Sequence, residues 1–254
     1  MIDSTTLTYA TFDDPRKKRN PDFKTGQSGE LLIGTDANGK KYIIKHCYPH
    51  NAANEFVASW LAKKLDIPAP DAFLLSSSNA FQTRYAVAIE FLDLNPFDKE
   101  AVSHPDDLIA QFVLASLIAQ EDRIQLKATD NHIVSFDFSE SFCTSKLDLI
   151  LRLMRQHTPF AQDCAVSILR QQLAAFQESL ARVKFNHPAL AQEYNLDCEE
   201  MCKTATAISK RVLRITENEI RIMSEELEKL FPTEVSVYYE ECIFAMQEHI
   251  KSLQ

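Results

Sequence analysis

Glycine is scarce in this chain. Its 254 residues hold four, Gly26, Gly29, Gly34 and Gly39, all within the first 39 positions. Any turn that needs glycine to bring backbone N–H groups against a phosphate must therefore lie near the start. Long apolar runs are missing too: no stretch approaches the roughly 18 residues a membrane span requires. Met1 to Thr6 is polar and lacks the apolar centre of a signal peptide. Basic charge is in deficit, with a net charge of −9, which argues against a general nucleic-acid binder that works through a basic field. The one basic run, Arg16-Lys17-Lys18-Arg19, reads as a solvated loop. The six cysteines have no framework spacing; Cys198 and Cys202 lie four apart on a helical pattern but lack two further ligands for a zinc ion. Reduced thiols in a soluble, cytoplasmic protein are the expectation, with no membrane partner.

What remains is ordinary globular material, 45% hydrophobic and 25% charged, in a chain long enough for one large domain or two lobes around one cleft. Residues 1–24 read as a flexible lead-in. A turn over Gly26-Gln27-Ser28-Gly29 precedes a strand from Glu30 to Thr35. Asp36 to Gly39 makes a hairpin turn, and Lys40 to His46 returns. A helix follows from about Asn51 to Leu65, its face set by Phe56, Val57, Trp60, Leu61 and Leu65, and Pro68-Ala69-Pro70 stops it. Short strands are expected at 72–75 and 85–92, the second buried on both faces.

Between Asp93 and Asp106 the pattern breaks, which places a lobe boundary near residue 95. The apolar helix Leu108 to Ala119 comes next, then a turn at Asp130-Asn131 and a short strand ending at Asp137. From Lys146 onward the chain reads as helices. The expected fold is α+β and two-lobed, with a small N-terminal sheet lobe carrying one helix (25–95) and a mostly helical C-terminal lobe (96–254).

Phosphoryl transfer needs a cation on the nucleotide phosphates, an acidic partner for it, a carboxylate to take a hydroxyl proton, and oxygen ligands for magnesium. Lys45 and Glu55 supply the first pair. The Gly26–Gly29 turn can cover phosphates with backbone N–H groups. Asp122 would be the base and Asp137 the metal ligand, in the chain order of kinases. Each taken alone has a plainer reading. Lys45 suits a snorkelling surface lysine, Glu55 a helix-terminal charge, Asp122-Arg123 a surface ion pair, and Asp137 a cap. The joint arrangement is the more specific signal.

Two stretches carry a family resemblance. Tyr42-Ile43-Ile44-Lys45, with Asn54-Glu55 opening a run that ends Ile67-Pro68-Ala69-Pro70, resembles the HipA-like kinase domain of bacteria. Glu121-Asp122-Arg123 and Phe136-Asp137-Phe138-Ser139 resemble its second half. The resemblance spans roughly residues 25–145. It implies ATP and Mg2+ as cofactors, a protein Ser/Thr hydroxyl as acceptor, and an adenine read by backbone groups of Glu90, Phe91 and Leu92. In that family a histidine stands two residues and an asparagine five residues beyond the catalytic aspartate. Here those positions are Ile124 and Lys127, and Gln120 stands where the family tends to asparagine. Lys127 would put a positive charge where a second ion normally sits, either neutralising phosphate or abolishing turnover. A catalytically weakened module for nucleotide binding or protein interaction is therefore the alternative function. A small-molecule kinase would use the same parts.

Overall fold

The computed structural model describes residues 1–12, 31–76, 85–100, 102–182 and 188–254. Gly26, Gln27, Ser28 and Gly29 lie outside them. A five-stranded antiparallel sheet forms from β1 (Thr8–Thr11), β2 (Leu32–Thr35), β3 (Lys41–His46), β4 (Ala72–Leu74) and β5 (Ala86–Glu90), in the order β1-β2-β3-β5-β4. The edge strand β1 pairs Thr8 with Thr35 and Thr11 with Leu32, so part of the expected loose lead-in is sheet. Its four residues, half of them threonine, carry too little apolar alternation to announce a strand. Register with β2 and the buried Leu7 beside it hold it there. The β2–β3 hairpin turns as expected: Asp36 Oδ1 accepts from the N–H groups of Asn38 and Lys40, both at 2.9 Å, and Gly39 takes φ +80°.

Helix α1 (Pro49–Lys64) lies between this sheet and the helical half, and is buried almost all round from His50 to Ala62. Its low amphipathicity follows from having two partners rather than one. Asp66 ends it at φ 53°, and Arg211 donates to the Leu65 carbonyl at 2.6 Å, satisfying a helix-end acceptor. Ser59 clips the helix to the chain after the proline stop, donating to Pro70 O and accepting from Ala72 N, both at 2.9 Å.

The second half begins with the short strand β6 (Asn95–Pro96) and α2 (Pro105–Leu117). The hairpin β7 (Gln125–Ala128) and β8 (Ile133–Phe136) then completes a small sheet of order β6-β7-β8. The helices α3 (Leu147–Met154), α4 (Pro159–Ala181), α5 (Pro188–Glu193), α6 (Cys198–Ser209), α7 (Glu217–Glu228) and α8 (Thr233–Ser252) follow. A 3-10 turn, Lys210–Arg214, links α6 to α7. One apolar core runs from α1 and one face of the large sheet through α2 to α8; a smaller cluster of Leu7, Tyr42, Ile44, Leu75, Ala86 and Ala88 covers the sheet's other face. No helix among the described residues is long and apolar enough to cross a membrane.

Candidate active site

Lys45 sits in β3, opposite Val87 in the register with β5. Its ammonium reaches Glu55 Oε1 on α1 at 2.6 Å and Asp137 Oδ1 just beyond β8 at 2.7 Å. Three side chains 92 positions apart at the extremes thus close around one charge. Glu55 is 2% exposed, Lys45 20% and Asp137 34%, so the trio grades from core to cleft. Burial acts to lower the Lys45 ammonium, but Glu55 and Asp137 outweigh it and hold the lysine protonated, above its ordinary value. Burial also pushes the Glu55 carboxyl up, an effect that Lys45 and the Phe138 N–H only partly offset. For Asp137 burial acts upward as well, yet Lys45, Ser139 and Gln125 together bring it below its ordinary value. Of the two carboxyls, Asp137 is the one whose surroundings favour the ionised form over its ordinary balance.

The backbone around Asp137 is held under constraint. Asp137, Phe142 and Cys143 take φ of 69°, 58° and 54°, conformations that cost energy for side chains of this size unless their surroundings impose them. The surroundings do. Fully buried Asn54, the neighbour of Glu55 on α1, donates to Ser139 O at 2.7 Å, Ser141 O at 3.0 Å and Thr144 Oγ1 at 2.8 Å. Its own oxygen accepts from Tyr239 of α8 at 2.9 Å. Asn51 adds a bond to Ser139 O at 3.1 Å, and Tyr238 donates to Phe142 O. From the other side Gln111 of α2 donates to Pro68 O and Ile133 O and accepts from Ser135, fixing β8. Sequence reading gives Glu55 a role and names Asn54 only as its neighbour in the resembling stretch. A buried asparagine declares itself only when its partners, here 85 to 185 positions away, are known.

Asp122 is exposed, in the loop between α2 and β7, and no hydrogen bond or ion pair engages it among the described residues. The surface ion pair with Arg123 does not form. The loop itself is anchored: Glu121 N–H donates to Glu140 O at 2.9 Å, and Gln120 Nε2 to Asp137 O at 3.3 Å.

Lys127 lies within strand β7. The loop after Asp122 is short, so β7 begins at Gln125, and Gln125 Nε2 donates to Asp137 Oδ2 at 2.9 Å. Lys127 lies two residues further along the strand, paired with Val134 and Pro96, and makes no hydrogen bond or ion pair with Asp137. Gln125, which the sequence gave no reason to select, occupies the place beside Asp137.

At the expected adenine edge, the N–H of Glu90 is taken by Asp71 O at 2.8 Å and that of Phe91 by Lys41 O at 3.0 Å. Those two donors are spent on the sheet. Of the three residues only Leu92 keeps an N–H without a partner among the described residues. The Glu90 carboxylate binds Lys40 at 2.8 Å, away from any role in reading a base.

No protein-family model and no curated protein matches the sequence. Among solved structures the chain is similar to the crystal structure of a Helicobacter pylori proinflammatory kinase, CtkA. Identity is 14%, coverage is 100% of this chain and 99% of that one, and the TM-score is 0.52. The Rio2 kinase–ADP/Mg2+–phosphoaspartate complex from Chaetomium thermophilum also matches, at 13% identity over 89% of this chain and 73% of that one, with a TM-score of 0.31. The first likeness, nearly end to end, shows the fold: an antiparallel N-terminal sheet and a helical C-terminal half arranged as in a kinase.

Proposed function

We propose that this chain is an ATP-dependent phosphotransferase of the HipA-like kinase type, acting on a Ser or Thr hydroxyl of a protein. The observation that carries the reading is Lys45 clasped between Glu55 and Asp137, 2.6 and 2.7 Å away. A buried lysine held by a glutamate of the helix behind the sheet can hold nucleotide phosphates without moving. Asp122, exposed and without a partner among the described residues, would accept the proton as the acceptor oxygen attacks the γ-phosphorus. The bond from that phosphorus to the β,γ-bridging oxygen breaks, giving ADP and a phosphoester.

The residues fit a magnesium ion. Asp137 brings an ionised carboxylate, Gln125 an amide oxygen if its side chain turns over, and Gln120 Oε1 is buried without a partner among the described residues. When bound, the ion would neutralise charge on the phosphates.

A second reading has its own support. Both Asp137 oxygens are already engaged, Oδ1 by Lys45 and Ser139 and Oδ2 by Gln125, as in a nucleotide-binding module without turnover. Calorimetric titration with ATP, with and without Mg2+, beside phosphate-transfer assays of wild type, Asp122→Ala and Asp137→Ala separates the two. Metal-dependent binding with transfer lost in both variants supports the enzyme. Binding without transfer supports the module, and equal transfer in all three proteins would sink the assignment of both aspartates.

A further inference from the structure

Asp122 opens onto a groove of about 550 Å³ between α2, the loop that follows it, the end of α4 and α5. Its apolar walls include Phe112, Ala115 and Leu190, and its charged members among the described residues are Asp122, Arg123 and Arg182. The described lining thus carries one more positive than negative charge, on a chain whose overall charge is −9. Arg123 has no hydrogen-bond or ion-pair partner among the described residues. Arg182 meets only Glu178, one turn back on α4, in a pair whose side chains are 76% and 65% exposed. A pair so open to water gives up its partner at little cost. Two arginines that line one groove with the candidate proton acceptor and with apolar walls suit a carboxylate-bearing chain whose hydroxyl lies at Asp122.

We propose that this groove seats the phosphate acceptor, and that the acceptor is a protein segment with an acidic side chain within a residue or two of its Ser or Thr. The proposal rests on the kinase reading of the cleft and adds the substrate class. A groove of this size holds a few side chains, and its walls offer packing that a free anion would not use. Arg123 follows the base directly in the chain, so an acidic group bound there lies close to the reacting hydroxyl. Arg182 arrives from α4 and would take a second acid, or the same one, by exchanging Glu178.

The test uses fluorescein-labelled serine peptides that differ only in flanking residues: Asp/Glu, Gln or Lys. Their binding to the full chain is read by anisotropy without ATP, and their phosphorylation is followed in parallel. The acidic peptide should bind tightest and lose that advantage at high salt. Arg123→Gln and Arg182→Gln should each weaken it by roughly two- to fivefold, the range expected of exposed charge pairs. The double variant should bind acidic and Gln-flanked peptides alike, while Arg123→Lys should recover part of the preference. Circular dichroism melts of the variants check that the fold is kept. Equal binding of acidic and neutral peptides by wild type overturns the proposal, as does an acid preference that survives in the double variant. Competition by acetate equal to that of the acidic peptide also overturns it, by showing an anion site only. A chain that phosphorylates the neutral peptide without acid preference refutes the groove alone. A chain that prefers acidic peptides but binds no ATP refutes the kinase reading and leaves the groove standing.

Discussion

On the kinase reading proposed above, the residues would divide the chemistry between them in opposite ways. Lys45, Glu55 and Asp137 are locked by one another, whereas Asp122 and Arg123 are exposed and have no hydrogen-bond or ion-pair partner among the described residues. The locked group suits a nucleotide that must be held in place. The open pair suits an acceptor that comes and goes. Gln125 belongs to the locked side, and its amide decides how Asp137 presents Oδ2. Replacing it by leucine removes the one oxygen donor that β7 offers there. Gln125→Leu should weaken the Mg2+ dependence of ATP binding roughly tenfold, the scale seen when a metal's supporting groups are removed. Titration of Mn2+ in the presence of an ATP analogue, read by electron paramagnetic resonance, measures this directly. An unchanged Mn2+ affinity would return the second-ligand question to Gln120 or to the phosphates alone.

Among the elements, α1 matters most, because it touches the large sheet, the Asp137 segment and α8 together. Its polar residues act as fasteners. Asn54→Leu removes one bond each from Ser139 O, Ser141 O, Thr144 Oγ1 and the Tyr239 hydroxyl, while Asn51 still serves Ser139 O and Thr144 still serves Ser141 O. The loss in the core should cost about 3 kcal/mol. Tyr239→Phe, which strands only the Asn54 oxygen, should cost about 1–2 kcal/mol. Urea unfolding of the two variants and their double gives the coupling; strictly additive losses would show that the hydroxyl and the amide act independently.

The far end of α1 is fastened by charge. Lys64 reaches Glu219 at 2.8 Å, and Glu219 also closes the capping box of α7 with Thr216. The bond from Lys64, then those from Thr216, hold the Glu219 carboxyl down from the ordinary 4.5 to about 2. A depressed carboxylate stabilises the fold above its unfolded pKa and loses that contribution as pH falls through the folded one. The stability advantage of wild type over Glu219→Gln should therefore be full at pH 6 and shrink between pH 4.5 and about 2. Urea midpoints of both proteins across that range test it, since other carboxylates titrate equally in each. A pH-independent difference would mean that the capping geometry alone, without the charge, supports α7.

At the scale of the whole molecule, the sheet and the helical half share one apolar core through α1. The cleft is a surface feature of a single packed body. Unfolding should then be cooperative: Trp60 fluorescence, which reports on α1, and far-UV ellipticity, which reports mainly on the helices, should follow the same urea curve. Mg-ATP at a hundredfold excess over its Kd should shift both probes together by about 2.7 kcal/mol. A fluorescence transition that precedes the ellipticity change would instead show that α1 and the sheet open by themselves.

Much of this was legible in the chain, and for local reasons. The hairpin at Asp36-Gly39, the helices on 3.6-residue patterns and the order Lys45, Glu55, Asp122, Asp137 depend on neighbours a few residues apart or on the order of parts. Two helices begin two or three residues earlier than the expected Asn51 and Leu108, since Pro49 and Pro105 open them ahead of the apolar pattern. Sequence by itself determined the kinase-like outline and the elements on which the candidate residues sit. Tertiary structure decided which of them meet. It made β1 a strand by supplying an edge, gave Asn54 its four partners, and put Gln125 rather than Lys127 beside Asp137. Contacts across tens of residues depend on loop length and packing, and neither is written in the local pattern of side chains.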